Sequence, residues 1–82
     1  MAKADHLART FGLVLRERRL AAGLSQEKLA LEADVDRTFV SLLERGGRQP
    51  TLATLWRLAA ALSVSPSELI RSVEKTKAVT VR

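Results

Sequence analysis

The sequence predicts an all-α fold of five helices. Apolar residues recur at helical spacing in several separate stretches, and no stretch requires a strand. Four of the helices begin at a serine, threonine or aspartate between two apolar residues, which is a signal for a helix start. The predicted helices cover about residues 5–22, 26–33, 37–45, 52–62 and 66–73. We expect one domain of residues 1–73 and a tail of residues 74–82.

The first predicted helix is marked by an apolar stripe and by a glycine that ends it. Gly23 suits the left-handed conformation that commonly follows a helix. Arg19 lies on the apolar stripe, which is unusual for a charged side chain. The stripe consists of residues three, four or seven positions apart: Ala8, Phe11, Leu15 and Ala22.

The later helices share a start signal in which a capping residue lies between two apolar residues. Ser25, Asp36 and Ser65 are the predicted N-caps, because their side-chain oxygens can accept free backbone N–H groups. Glu68 follows Ser65 by three residues and predicts a full capping box, with Pro66 at the first helical position. The flanking apolar pairs are Leu24 with Leu29, Val35 with Val40, Val64 with Leu69 and, more weakly, Pro50 with Leu55.

The second and third helices are joined by a tight turn, Ala33-Asp34-Val35. Such a turn usually needs a residue with positive φ, commonly glycine. Asp34 stands there, and aspartate is among the few non-glycine residues that tolerate it. Ala30 is small enough for a close helix crossing, and Gly46 ends the third helix. This layout is that of a helix-turn-helix, whose second helix enters the DNA major groove.

A set of residues between positions 11 and 70 carries a family resemblance: Arg19, Gly23, Leu24, Ser25, Gln26, Leu29, Ala30, Val35, Val40, Leu43, Glu44, Gly46, Pro50, Leu55, Leu58, Ala59, Leu62, Val64 and Leu69. With these residues the chain resembles the lambda-repressor-like helix-turn-helix family, also called the Cro/repressor or xenobiotic-response-element type. Asp34 departs from the family pattern, in which glycine is usual. The stretch DRTFVSLLERGGRQP also resembles the controller proteins of restriction–modification systems.

Three polar residues of the third helix are the predicted DNA base contacts. Arg37 and Thr38 are its first two residues and lie off its Val40/Leu43 core stripe. Arginine suits guanine, and threonine suits a base edge or a thymine methyl group. Ser41, one turn later, is the third candidate. The alternative is a solvated first turn in which Arg37 only touches phosphate.

Four further residues are predicted to contact phosphates. The resemblance implies that Gln26, the first residue of the second helix, binds a phosphate together with backbone N–H groups there. Arg45, Arg48 and Gln49 follow the third helix and are expected to clamp the neighbouring phosphate, unless they form only a solvated basic loop. Phe39 has two interpretations: the resemblance implies a contact at the groove edge, and the alternative is packing over the second helix.

Arg19 and Glu44 are predicted to form a structural ion pair. Both fall on core-facing stripes, Arg19 with Phe11 and Leu15, and Glu44 with Val40. Two opposite charges on two buried faces are most simply satisfied by each other, and this resembles the structural ion pair of the family. The pair is therefore expected to connect the first helix to the third.

The last two helices carry more apolar surface than one small core needs. A homodimer interface is one interpretation of this surplus, and packing within a single core is the other. The residues concerned are Leu52, Trp56, Pro66, Leu69, Ile70 and Val73. The tail EKTKAVTVR is expected to be flexible and basic, although alternation at Val79 and Val81 also allows a strand that pairs with a partner.

Composition narrows the function further. Fourteen Lys and Arg against nine Asp and Glu give a net charge of +5, and residues 37–57 hold four arginines and one glutamate. This excess suits a polyanion. The chain has no cysteine, which fits a reducing, cytoplasmic location. It shows no membrane-spanning run or catalytic constellation, so neither a cofactor, a metal nor a small-molecule ligand is expected.

The sequence thus predicts a homodimeric transcription regulator that binds a palindromic operator in double-stranded DNA. The alternative is a protein-interaction module with the same fold, such as an antitoxin or an adaptor. The Arg37-Thr38 tip and the basic loop favour DNA.

Overall fold

The computed structural model describes residues 2–76, with side chains from His6 onward. Within that range the chain forms five helices and no strand, as predicted. The helices are α1 (Ala2–Ala21), α2 (Gln26–Ala33), α3 (Arg37–Glu44), α4 (Leu52–Ala61) and α5 (Pro66–Lys75). α1 begins three residues earlier than predicted, and α5 continues two residues further. The alternation at Val79 and Val81 lies outside the described residues.

Four helices begin with the side-chain caps that the sequence predicts. Ser25 accepts from the N–H of Lys28 at 3.0 Å, and Asp36 accepts from the N–H of Thr38 at 2.9 Å. Thr51 and Ser65 do the same for Thr54 and Glu68, each at 3.1 Å. The capping box at Ser65 is incomplete, because the carboxylate of Glu68 accepts instead from Arg18 Nη1 at 3.3 Å.

Four helix ends share one compact turn. Gly23, Asp34, Gly46 and Ser63 each have positive φ, between 58° and 78°. After each of them the next N–H bonds back across the turn: Leu24 to Arg19, Val35 to Ala30, Gly47 to Leu42 and Val64 to Ala59. Asp34 therefore takes the conformation that its position predicts. Ser63 was not predicted to do so.

All five helices contribute to one hydrophobic core. α1 packs on α3 and α5, α2 packs on α3 and α4, and α4 packs on α5. Ala8, Phe11 and Leu15 are buried as predicted, but Ala22 is exposed because it follows the last helical residue. Val14 completes the buried face of α1. In residues 2–76 no helix is long and apolar enough to cross a bilayer.

Gly12 marks the closest approach of α1 to α3. A Cβ atom added there would lie 2.4 Å from the carbonyl oxygen of Leu43 and 2.6 Å from that of Glu44. Side chains can rotate away from such an overlap, but the helical backbone of α3 cannot. The absence of a side chain at Gly12 therefore lets α1 lie against the carboxyl end of α3.

We expect Gly12→Ala to lower the free energy of unfolding. Alanine favours a helix over glycine by about 1 kcal/mol, but overpacking against a fixed backbone costs about 1–3 kcal/mol or more. The expected net loss is about 1–2 kcal/mol in urea denaturation. The control is Gly47→Ala, whose Cβ would meet only Leu42 at an ordinary 3.5 Å. Equal stability of the two variants would contradict the close packing of α1 against α3 at Gly12.

Candidate nucleic-acid interface

α3 has one face in the core and its amino end at the surface. Val40 and Leu43 are fully buried, which anchors one face of the helix. Arg37 and Thr38 are exposed at its amino end, where Asp36 caps the helix. The two predicted base contacts therefore project from the end of a helix whose position is fixed by the core. Ser41, one turn further, is half-buried.

The loop after α3 carries three exposed polar side chains, those of Arg45, Arg48 and Gln49. Arg45 is the C-cap of α3 and turns its side chain back, with Nε donating to the carbonyl oxygen of Ser41 at 3.4 Å. The guanidinium carbon of Arg48 lies 5.9 Å from the centre of the Phe39 ring, within the range of a cation–π contact. Two of the predicted phosphate contacts, Arg45 and Arg48, thus have side chains that lie against residues of α3.

Phe39 is half-buried and packs against the hydrophobic core. Of its two interpretations, packing is therefore the one that the free protein displays, with the face of the ring covered by Arg48. A contact of Phe39 with DNA stays a prediction.

Arg19 and Glu44 form the predicted ion pair at the junction of α1 and α3. Arg19 Nε donates to Glu44 Oε2 at 2.6 Å and Nη2 donates to Oε1 at 3.0 Å, a bidentate geometry. Arg19 Nη1 also donates to the carbonyl oxygen of Leu24 at 2.8 Å. Both residues are buried. The hydrogen bond to Glu44 raises the pKa of Arg19, against the lowering effect of burial, so the guanidinium stays charged.

Gln26 is connected to the same ion pair, which the sequence did not reveal. Its Nε2 donates to Glu44 Oε1 at 3.1 Å, and its side chain is half-buried at the amino end of α2. The predicted phosphate contact and the predicted ion pair are therefore one hydrogen-bonded group. The sequence indicated this bond only indirectly, because Gln26 and Glu44 are both among the residues that carry the family resemblance.

The pairing of Glu44 changes the charge of the surface around it. Glu44 is the sole acid of residues 37–57, and its carboxylate is occupied by Arg19. Arg37, Arg45, Arg48 and Arg57 are exposed, and in the part of the chain that the structure describes none forms a salt bridge. The segment therefore presents an uncompensated positive charge.

The predicted dimer residues separate into two groups. Leu52, Trp56 and Ile70 are 74%, 58% and 42% exposed, and with half-buried Pro66 they line a groove of about 570 Å³ between α4 and α5. Leu69 and Val73 are instead buried in the core of the same chain. Their assignment to an interface is wrong, since α5 turns its Leu69/Val73 side toward α1 and α4.

Comparison with known proteins gives a family for this geometry. A family model described as "Helix-turn-helix" matches residues 15–69. The chain belongs to the helix-turn-helix family. The control protein C.BamHI of Bacillus amyloliquefaciens is 43% identical over 61 residues, which are 73% of this chain and 75% of that protein.

Two further relatives of this helix-turn-helix chain agree with the assignment. The uncharacterized HTH-type transcriptional regulator y4dJ of Sinorhizobium fredii is 41% identical over 58 residues, 71% of this chain and 75% of that protein. The crystal structure of the restriction-modification controller protein C.AhdI from Aeromonas hydrophila superimposes with a TM-score of 0.74. It shares 47% identity, and the match covers 76% of this chain and 94% of that chain. The predicted family and fold are thus confirmed.

We expect the helix-turn-helix chain to lose stability strongly when Glu44 alone is replaced. Glu44→Leu leaves the Arg19 guanidinium buried without its partner, a loss of about 3–5 kcal/mol. Domains of this size have about 5–10 kcal/mol in total, so the variant should be largely destabilised. Arg19→Met/Glu44→Leu should recover much of the loss, because no unpaired charge remains.

A double-mutant cycle by chemical denaturation measures this coupling. The four chains are the natural one, Arg19→Met, Glu44→Leu and the double variant. Additive losses from the two single changes would mean that the pair contributes nothing through its contact.

Proposed function

We propose that this protein is a sequence-specific transcriptional regulator that binds operator DNA as a homodimer, with α3 as its recognition helix. The observation that carries the proposal is that α3 has a buried face and an exposed amino end. Val40 and Leu43 hold the helix in the core, and Arg37 and Thr38 stand exposed at its free end. The backbone of a helix held in this way is already ordered, so its entry into a major groove costs little further backbone entropy.

Base reading is assigned to Arg37, Thr38 and Ser41. A guanidinium donates two parallel hydrogen bonds to the O6 and N7 atoms of guanine, and a threonine contacts a base edge or a thymine methyl group. Ser41 lies one turn further along the helix and reaches the groove less deeply, in agreement with its half-buried position.

Phosphate binding is assigned to both ends of the helix-turn-helix. At the amino end of α2, Gln26 stands beside the first N–H groups of the helix, which have no partner within the helix. At the far end of α3, Arg45, Arg48 and Gln49 supply exposed donors. The uncompensated charge of residues 37–57 favours the approach of DNA along this side.

The groove between α4 and α5 is assigned to a second copy of the chain. Leu52, Trp56, Pro66 and Ile70 line it, and three of these four large apolar residues are exposed in the single chain. Burial of such side chains on both partners favours a twofold dimer. Twofold symmetry in turn requires a palindromic operator with half-sites about 34 Å apart, one turn of DNA.

Regulation by operator occupancy needs no bound cofactor. This chain therefore acts as controller-type or phage-type regulators do, through its own concentration, in the cytoplasm. The relatives named as controller proteins support this class. A protein-interaction module would instead use the fold without sequence-specific DNA binding, so selection of DNA from a random pool discriminates between the two.

We expect Arg37→Ala and Arg48→Ala to weaken DNA binding in different ways. Arg37→Ala should cost about 1–3 kcal/mol on the selected operator and relax the preference at one base pair per half-site. Arg48→Ala should weaken operator and random DNA alike and reduce the salt slope by about one unit per lost phosphate contact. Titration of both DNAs at several salt concentrations measures this. Equal weakening of both DNAs by Arg37→Ala would contradict its base-reading role.

We expect Trp56→Ala to shift the protein toward monomer. Operator binding should weaken at the same time, because separate monomers then bind the two half-sites. Sedimentation at several protein concentrations measures the first effect and DNA titration the second. Leu20→Ala is the matched control, since Leu20 is 55% exposed on α1, outside the groove. An unchanged dimer in the Trp56 variant would remove this residue from the interface.

A further inference from the structure

Gln26 occupies an unusual position between the surface and the core. Its side-chain nitrogen donates to Glu44 Oε1 at 3.1 Å, and the same oxygen accepts from Arg19 Nη2 at 3.0 Å. A side chain at the start of a surface helix is thus bonded to a carboxylate that belongs to the buried ion pair. This contact has no role in the base reading described above.

The contact restricts the Gln26 amide before any DNA is present. A glutamine side chain normally moves among many rotamers, and that freedom is lost when it binds a ligand. An amide nitrogen carries two N–H groups, and the bond to Glu44 uses one of them. The second N–H then remains available for a phosphate oxygen, in an amide whose plane is already set.

Arg19 makes Glu44 compatible with a nearby phosphate. An unpaired carboxylate close to the DNA backbone would repel it. In this protein both oxygens of Glu44 accept from the Arg19 guanidinium, so the pair has no net charge. Glu44 can therefore serve as a hydrogen-bond acceptor for Gln26 without adding negative charge to the interface.

We propose that Glu44 is a positioning residue for DNA binding: neutralised by Arg19, it holds the Gln26 amide in the orientation that grips a backbone phosphate. The ion pair then has two functions, since it joins α1 to α3 and also prepares the phosphate contact of α2. This inference rests on the proposed function and specifies how one of its contacts is built.

The test compares the effect of Gln26→Ala in two backgrounds. In the natural chain, loss of a hydrogen bond to a charged phosphate should weaken operator binding about tenfold. In the Arg19→Met/Glu44→Leu background the amide has no carboxylate to hold it, so Gln26→Ala should weaken binding by less than about threefold. Arg48→Ala is the control, and its effect should be equal in both backgrounds. Urea denaturation of each chain separates binding from folding.

Two outcomes would overturn the positioning role and leave the proposed function intact. One is an equal loss from Gln26→Ala in both backgrounds, which would mean that Gln26 reaches the phosphate without Glu44. The other is no loss in the natural chain while Arg37→Ala still relaxes specificity. If the natural chain selects no DNA sequence, the proposed function itself fails.

A second measurement uses the natural chain alone and does not depend on the folding of a variant. Side-chain scalar couplings of Gln26 in the DNA-free protein should report one dominant rotamer. Rotamer averaging of Gln26 in the free protein would overturn the inference.

Discussion

The buried pair of Arg19 and Glu44 is the interaction on which the rest of the arrangement depends. Its two charges are removed from water together, so neither residue can move without leaving the other unpaired in the core. The same guanidinium bonds the carbonyl oxygen of Leu24, and the same carboxylate accepts from Gln26. One pair of side chains therefore fixes α1, the start of α2 and the end of α3 relative to one another.

The two helices of the helix-turn-helix are too short to be stable alone. α2 and α3 have eight residues each, and isolated helices of that length are marginal in water. Their stability comes from packing and from turns that satisfy the polar groups of the backbone at both ends. At the turn between them, Asp34 ends α2 with positive φ, Val35 packs against the core and Asp36 caps α3. Three consecutive residues thus define the turn between α2 and α3.

The chain separates its charges between the core and the surface, and this separation determines the charge of the surface. Because the carboxylate of Glu44 is used inside, the arginines of residues 37–57 remain uncompensated outside. The positive charge of this surface is therefore a consequence of how the core is built. The apolar residues of α5 are also divided between the core and the surface. Leu69 and Val73 are buried, and Ile70 lies beside Trp56 on the surface.

The sequence alone was sufficient to predict the five helices, the N-caps of four of them, the positive φ of Asp34 and the pairing of Arg19 with Glu44. These features follow from local patterns, or from two charges that no apolar face tolerates singly. Tertiary structure decided the rest: the close approach at Gly12, the burial of Leu69, and the bond from Gln26 to Glu44. Each depends on the distance between segments far apart in the chain, and helical periodicity states which residues share a face but not which neighbour that face will meet.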